Sequence, residues 1–508
     1  MMNMNPIAKK IATILTVTAL GTAALPVVAQ QAHAATNVAN IAASIAQLTN
    51  QQIEAAVKEL NKLGIMNGYA DRSLGEYRQI SRAELATLVY KLFDLENKAA
   101  TVTTELTDVN PNAWYAPYAT KLVGLGIMQA QDGAFNPQGK VSDAELSQVV
   151  SKALQRDIKS VQHWMSAFYA ESSTATRGET AYLLQTARKA IPSEQAKLTS
   201  VRSLNAITLI VTFDKPLTAA DEVFAKAQTD FVFSGGLTLT NMPRLKTGSI
   251  ATYIVPTSVQ KAGETYNLAY KGTAAGSFTG SGTKLNMTTA SQVTNDTFEL
   301  ESLKASGVID YGYIISAYSG GRGANAFVLN DREQANGQTY QIISSMQARQ
   351  VVITPEGGEP IVAKYVPFTQ STDGKQEPKF RLPDGLTLIP GVKYTVSSDW
   401  ANIASASFVA KSVDSLQVAG AQAISETSIE VILTQDPGDE LFSGRSVTLT
   451  APNGDVLTAS YKYSSRKGAT GVFDVTNNGK LIAGTTYAVT PVGDWATAAA
   501  SSVTVTLK

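Results

Sequence analysis

The chain contains no cysteine. Disulfides, thiolate metal sites and cysteine nucleophiles are therefore excluded. Histidine is nearly as scarce, with two copies, His33 and His163, in 508 residues. A multi-histidine metal centre cannot be built from that, and a Ser–His–Asp triad would have to use His163 once a leader carrying His33 is removed. Neither sign of charge is in excess. The 42 basic and 42 acidic residues give a formal net charge of zero, which argues against a general nucleic-acid binder and a polybasic membrane anchor. Long apolar runs are confined to the N-terminus, where Lys9 and Lys10 precede a mostly apolar stretch from Ile11 to Leu25 and Ala32-His33-Ala34 offers a small-x-small cleavage site. This reads as a secretory signal over residues 1–34, with the mature chain starting near Ala35. A retained membrane anchor is the weaker reading, because spanning needs roughly 20 apolar residues. The chain ends in strand-like Val503-Thr504-Val505-Thr506-Leu507. A secreted protein with no membrane anchor after cleavage is expected.

The first two hundred residues repeat one phrase, Ser or Thr, two residues, then Glu: Ser81-Arg82-Ala83-Glu84, Ser142-Asp143-Ala144-Glu145 and Thr176-Arg177-Gly178-Glu179. Each opens an apolar run with helical spacing. The phrase is a capping box, in which the hydroxyl accepts from the N3 amide and the Glu reaches back to the cap's own amide. Before the first box, Ile53, Ala56, Val57, Leu60 and Leu63 form a helical stripe that Gly64-Ile65-Met66 stops, and Thr49 or Asn50 is its expected cap. Before the second, Trp114, Tyr118, Leu122 and Leu125 form another, stopped by Gly126-Ile127-Met128. The third unit is shortened, with Trp164 and Phe168 marking a brief first helix. The unit is thus helix, Gly-rich turn, capped helix, repeated over about 40–97, 104–157 and 158–191 within a domain at 35–192.

After Pro192 and the polar segment 193–197, period-two alternation takes over, as in Ile207-Thr208-Leu209-Ile210-Val211-Thr212-Phe213. Turn signals such as Gly235-Gly236 and Asn453-Gly454 recur. The pattern predicts an all-β region of sandwich type. It repeats too. Ser-Leu steps at Ser203, Ser302 and Ser415 are read as openings, and Gly-x-x-Tyr from Gly263, Gly391 and Gly484 as closings. Asp399-Trp400-Ala401 matches Asp494-Trp495-Ala496. Three β-sandwich domains are expected, at 198–292, 293–410 and 411–508, the middle one enlarged around Gly320-Gly321-Arg322-Gly323 and Thr372-Asp373-Gly374.

The box residues Ser81, Glu84, Ser142, Glu145, Thr176 and Glu179 are accounted for by capping, at about 1 kcal/mol per cap. Arg82 and Arg177 have no capping duty. Set beside free amides and the positive end of a helix dipole, they suit an anion. Trp114 and Trp164 suit either core packing or stacking on a sugar. The Gly68-Tyr69 and Asp132-Gly133 turns suit either plain reversal or the floor of a ligand groove. Asp436-Pro437-Gly438-Asp439-Glu440 could ligate Ca²⁺, although a solvated acidic loop explains it more simply. No cofactor is otherwise implied. The Gly320 loop lacks the ending a phosphate loop needs.

Asp108 to Trp114, then Gly126-Ile127-Met128, a Gly/Pro turn and a Ser/Thr-x-Ala-Glu box resemble the S-layer homology domain, whose signature ends in Thr-Arg-Ala-Glu. The resemblance is strongest from Gly68-Tyr69-Ala70-Asp71 through Ile80-Ser81-Arg82-Ala83-Glu84. It implies a compact pseudo-threefold domain whose inter-motif grooves bind secondary cell-wall polysaccharide, often pyruvylated and therefore acidic. By that resemblance Arg82 and Arg177 match the groove arginine, Gly68 the turn glycine and Trp114 the motif-opening tryptophan. Asp143 stands where the second motif should have Arg and would repel a carboxylate, so one or two working grooves are implied. The β blocks resemble bacterial Ig-like modules in texture, which implies lattice contacts or adhesion and no reaction. The expected protein is a cell-wall or S-layer structural protein with possible self-association. An anchored adhesin is the alternative, and a cell-wall hydrolase a more distant one.

Overall fold

The structure, a computed structural model, describes residues 47–100, 105–303, 307–312, 314–315, 328–367, 369, 371–372, 375–438, 441–499 and 503–507. The leader over 1–34, the Gly320-Gly321-Arg322-Gly323 insertion, Asp373-Gly374 and the Asp439-Glu440 end of the acidic loop lie outside the described residues.

A helical region precedes a β-rich one. The helices are α1 (Asn50–Lys62), α2 (Arg82–Leu92), α3 (Ala116–Gly124), α4 (Asp143–Leu154), α5 (Ile158–Trp164) and α6 (Arg177–Lys189). They close into a ring, because the residue before each box pairs with its counterparts in the other two motifs. The Ile80 amide donates to the Ala175 carbonyl (3.0 Å), the Ala175 amide to Val141 (2.9 Å) and the Val141 amide to Ile80 (3.2 Å). This cyclic triad is fully buried, and buried backbone groups must find such partners. Around it Leu60, Leu85, Val89, Phe135, Leu146, Val150 and Leu184 form one core. Each of these large side chains contributes about 1.5–3 kcal/mol when fully buried.

Capping follows the expected pattern with one exception. Ser81 with Glu84 and Thr176 with Glu179 make complete boxes. Thr49 with Gln52 makes a fourth that the Ser/Thr-x-x-Glu phrase does not cover. At α4 the Ser142 hydroxyl accepts from the Glu145 amide at 3.0 Å, but the return bond of a box is not made. Gly178 replaces the alanine of the other boxes for a steric reason: a Cβ there would lie 2.3 Å from Ile53 and 2.8 Å from the Glu76 carbonyl.

The β region comprises three units. In the first, a four-stranded sheet (Leu198–Asn205, Thr208–Phe213, Thr252–Pro256, Arg244–Leu245) and a three-stranded sheet (Phe231–Phe233, Thr265–Tyr270, Thr273–Thr279) share a core of Val211, Phe213, Tyr253 and Leu268. In the third, one continuously hydrogen-bonded eight-stranded sheet, from Ala496–Ala498 at one end to Thr504–Thr506 at the other, carries the core of Ile429, Val431, Phe442, Phe473 and Trp495. Here the expectation of two separate sheets gives way to a single path.

The Gly-x-x-Tyr closings have a shared structural meaning. Tyr266, Tyr394 and Tyr487 are buried, and each hydroxyl accepts at 3.0 Å from an amide five residues upstream: Lys261, Ile389 and Ile482. Gly263, Gly391 and Gly484 turn the chain there with φ of 78°, 83° and 75°, which favours glycine. The Trp pair is equivalent as well: Trp400 Nε1 donates to the Gln350 carbonyl (3.0 Å) and Trp495 Nε1 to Ser446 (3.3 Å).

The Ser-Leu steps are not equivalent. The Leu416 amide donates to the Trp495 carbonyl, and its counterpart donating to Trp400 is Leu285, not Leu303. Ser203-Leu204 and Ser302-Leu303 lie near the ends of strands. The strand Leu285–Gln292, expected to close the first unit, instead pairs in parallel with Ala401–Ser405 and antiparallel with Thr297–Leu303, so it opens the second. Alternation marks a strand but not the sheet it joins.

Candidate functional site

Two grooves lie at the joints of the helical ring. The first, about 260 Å³, is lined by Asn67, Gly68, Tyr69, Glu84, Lys91, Trp114 and Arg177, among others. It gathers Gly68, Trp114 and Arg177 from three different motifs. The second, about 660 Å³, is lined by Arg82, Gln129, Gln131, Lys140, Glu145 and Lys152, among others. The two are related position by position. Asn67 and Gln129 follow the two Gly-Ile-Met runs, and Lys91 and Lys152 donate to the Gly64 and Gly126 carbonyls.

The arginines are in these grooves, but not with free charge. Arg177 crosses from the third motif into the first, where Nε donates to the Leu74 carbonyl (3.1 Å), Nη2 to the Asn67 carbonyl (2.7 Å) and Nη1 to Glu84 Oε1 (2.8 Å). Arg82 crosses from the first into the second in the same way, through the Phe135 carbonyl (2.7 Å), the Gln129 carbonyl (2.6 Å) and an ion pair with Glu145. Glu145 thus turns to Arg82 rather than completing its box. The helix starts are also occupied. The Arg82 and Ala83 amides donate to the Gly139 and Pro137 carbonyls, and the Arg177 and Gly178 amides to Arg78 and Glu76. The reading of arginine beside open amides as an anion receiver is therefore corrected: both groups clamp one motif to the next. Sequence shows an arginine at a helix start, but not the carbonyls that a neighbouring motif brings to it.

Asp143 is corrected likewise. It is fully buried, and its carboxylate accepts from the Ala170 amide at 3.0 Å. It reaches into the third motif as the arginines reach into theirs, so its place is a joint rather than a groove mouth. Trp164 ends α5 instead of starting it, and its Nε1 donates to the Gly248 carbonyl (2.8 Å) in the first β unit.

Trp114 is different, at 60% exposed. Gly68 earns its place by close approach, since a Cβ would meet the Ser73 carbonyl at 2.9 Å. Tyr69, which sequence offered only as a turn residue, donates to Glu84 Oε1 at 2.7 Å and lies under the guanidinia of Arg78 and Arg177, 4.3 and 4.8 Å from the ring centroid. Burial opposes the charge of Glu84, yet hydrogen bonds from Ser81 and Tyr69 and the field of Arg177 hold its pKa below the ordinary value. It remains a carboxylate that neutralises Arg177. The cation left at the first groove's rim is Lys91, and Lys140 and Lys152 stand at the second. Sequence reasoning passed over all three, because single lysines on helical repeats carry no distinguishing spacing.

Among the described residues no cluster of three or more His, Asp or Glu could hold a metal ion. In the acidic loop, Asp436 is paired with Arg466 at 2.7 Å. No helix among them is long and apolar enough to cross a membrane.

The S-layer homology domain model matches residues 51–86 and 105–146. The chain is 29% identical over 252 residues to the middle cell wall protein of Brevibacillus brevis, across 45% of this chain and 24% of that protein. It is 35% identical over 105 residues to the surface layer protein of Brevibacillus choshinensis, across 20% and 9%. The chain thus spans about a quarter or less of the length of these relatives. The solved structure of surface layer protein SbsC, domains 1-6, aligns with 99% of this chain and 80% of its own at 12% identity and a TM-score of 0.15, too low to carry a fold argument. The third repeat lies outside the family match, yet its Ala175 completes the triad that closes the ring. The helical region of this chain carries S-layer homology domains, and the chain is a secreted surface protein of the cell wall.

Proposed function

We propose that the helical ring holds this chain noncovalently on an acidic secondary cell-wall polysaccharide, and that the β units stand out from it as non-enzymatic structural material of a surface layer. The observation that carries this is Trp114, exposed at the mouth of the first groove with Gly68 and Tyr69 beneath it and Lys91 beside it. An open indole offers a flat apolar face and one donor, which suits a sugar ring. A lysine with water access offers a charge to a carboxylate such as that of a pyruvyl ketal. Arg177 and Glu84 form the wall behind them. The second groove has lysines but no exposed aromatic side chain, so it favours charge over stacking.

The test is sedimentation with purified sacculi. Trp114→Ala combined with Lys91→Ala is expected to weaken binding at least tenfold while leaving circular dichroism and Tm unchanged. The parent should fail to bind sacculi chemically stripped of the polysaccharide. Equal binding by variant and parent, or retention on bare peptidoglycan, would overturn the reading.

A further inference from the structure

The three β units share one corner, and the chain uses it twice. It is the turn between a unit's first two strands: Ala206-Ile207, Asn295-Asp296 and Glu426-Thr427. The backbone identifies the equivalence. Carbonyls of Ala206, Asn295 and Glu426 accept from Gln260, Leu388 and Leu481 at 2.9, 2.7 and 2.7 Å. Carbonyls of Ile207, Asp296 and Thr427 accept from Thr257, Leu382 and Val475 at 3.0, 2.9 and 2.8 Å.

At the first corner the second unit docks. Ala206 and Ile207 are buried in its core, and Ser344 donates to the Ile207 carbonyl (2.9 Å). Arg349 donates to the Thr257 carbonyl (2.7 Å). At the second corner the third unit docks. Asn295 reaches Ser415 and the Asp494 carbonyl at 3.1 and 3.0 Å, and Arg445 grips Asp296 with bonds of 2.6 and 2.8 Å. Arg349 and Arg445 are themselves equivalent, since their carbonyls accept from Tyr365 and Tyr461. Each corner therefore receives a cation and a packed surface from outside its own unit.

The third corner has the same backbone and is open. Glu426 and Thr427 are exposed, Ile424 is 52% and Ile482 63% exposed, and Lys480 sits 2.7 Å from Glu426 on the same face. We infer that this corner is an interaction surface whose occupant is the same corner of a second copy, across a two-fold axis. The chemistry favours that partner. The face carries one acid, one base and two isoleucines, so it is self-complementary in charge and apolar area, as an isologous contact requires. Lys480 of the second copy then supplies to Glu426 the cation that Arg445 supplies to Asp296. The inference does not depend on glycan binding, and its test uses soluble protein without sacculi.

The experiment is sedimentation equilibrium on the secreted full chain, with a cross-link as a second readout. Thr427→Cys, the only thiol in a chain without cysteine, should form an intermolecular disulfide in oxidising buffer. Glu426→Lys should weaken the dimer about tenfold, because two symmetry-related pairs become like-charge contacts. Adding Lys480→Glu should restore it. A parent that stays monomeric, association that Glu426→Lys leaves unchanged, or a Thr427→Cys chain that does not cross-link would each overturn the inference.

Discussion

The helical ring and the β tandem join their repeats with the same device and differ in how the series ends. In the ring, Arg82 and Arg177 each leave one motif and take up backbone carbonyls and a carboxylate in another. In the tandem, Arg349 and Arg445 each reach back to the unit before. The ring closes on itself through Ile80, Val141 and Ala175, so every motif has two neighbours. The tandem is linear, and its third corner is exposed. Closure converts repeats into a rigid body with grooves at its joints, whereas an open series leaves a face on which another molecule can act. Arginine suits both uses because its planar fork satisfies several acceptors at once.

Breaking the ring is expected to have the largest effect. Arg177 is almost wholly buried and makes three bonds across the joint. Arg177→Ala leaves Glu84 and two carbonyls without that partner, which should cost about 3–5 kcal/mol. Chemical denaturation should show the helical signal melting first, with the β signal nearly unmoved. A joint loss of both signals would mean that the ring and the tandem unfold as one unit.

The tandem joint should fail in acid. Burial opposes ionisation of Asp296, but the bonds and field of Arg445, with Arg381 and Thr294, bring its pKa down to about 2 from the model value of 3.8. A carboxyl whose folded pKa is depressed stabilises the fold above its unfolded pKa and loses that contribution as pH falls through the folded one. The contribution, roughly 2 kcal/mol, should therefore be complete above about pH 4 and vanish towards pH 2. Asp296→Asn should lower stability at neutral pH and flatten this part of the acid curve. An unchanged curve would show that the joint does not sense the charge.

The same contrast governs how much could be read from sequence. Local signals were legible. The boxes at Ser81 and Thr176, the stop at Gly64-Ile65-Met66 and the Gly-x-x-Tyr closings are set by neighbours a few residues away, and each has the structural role its chemistry requires. Gly68 and Trp114 do line one groove. What failed was long-range. Arg82 and Arg177 look free beside a helix start until residues 47 to 110 positions away supply their acceptors. The strand Leu285–Gln292 alternates the same way whichever unit it joins. The Ser-Leu steps recur without occupying equivalent places, while Leu285 and Leu416 are equivalent without sharing a motif.

A smaller effect is expected at the tyrosine locks. Tyr394 and Tyr487 make the same bond in neighbouring units. Removing either hydroxyl leaves the Ile389 or Ile482 amide without that acceptor, at about 1 kcal/mol. Tyr394→Phe and Tyr487→Phe should therefore lower stability by similar amounts. A much larger loss from Tyr394→Phe would show that the second unit, docked at both ends, transmits strain that the third does not.

The smallest expected effect separates the three boxes from one another. Ser81 accepts from the Glu84 amide while Glu84 returns a bond to Ser81, and Thr176 with Glu179 does the same. At Ser142 the hydroxyl keeps its bond, but Glu145 is turned to Arg82. Ser142→Ala therefore removes one capping bond, whereas Ser81→Ala removes a bond and also loosens the carboxylate that Arg177 needs. The expected losses are about 0.5–1 kcal/mol for Ser142→Ala and about 1–2 kcal/mol for Ser81→Ala. Equal losses in thermal denaturation would mean that the cap and the clamp are energetically independent. A larger loss at Ser81 would show that in this ring the residue that starts a helix also sets the joint to the next one.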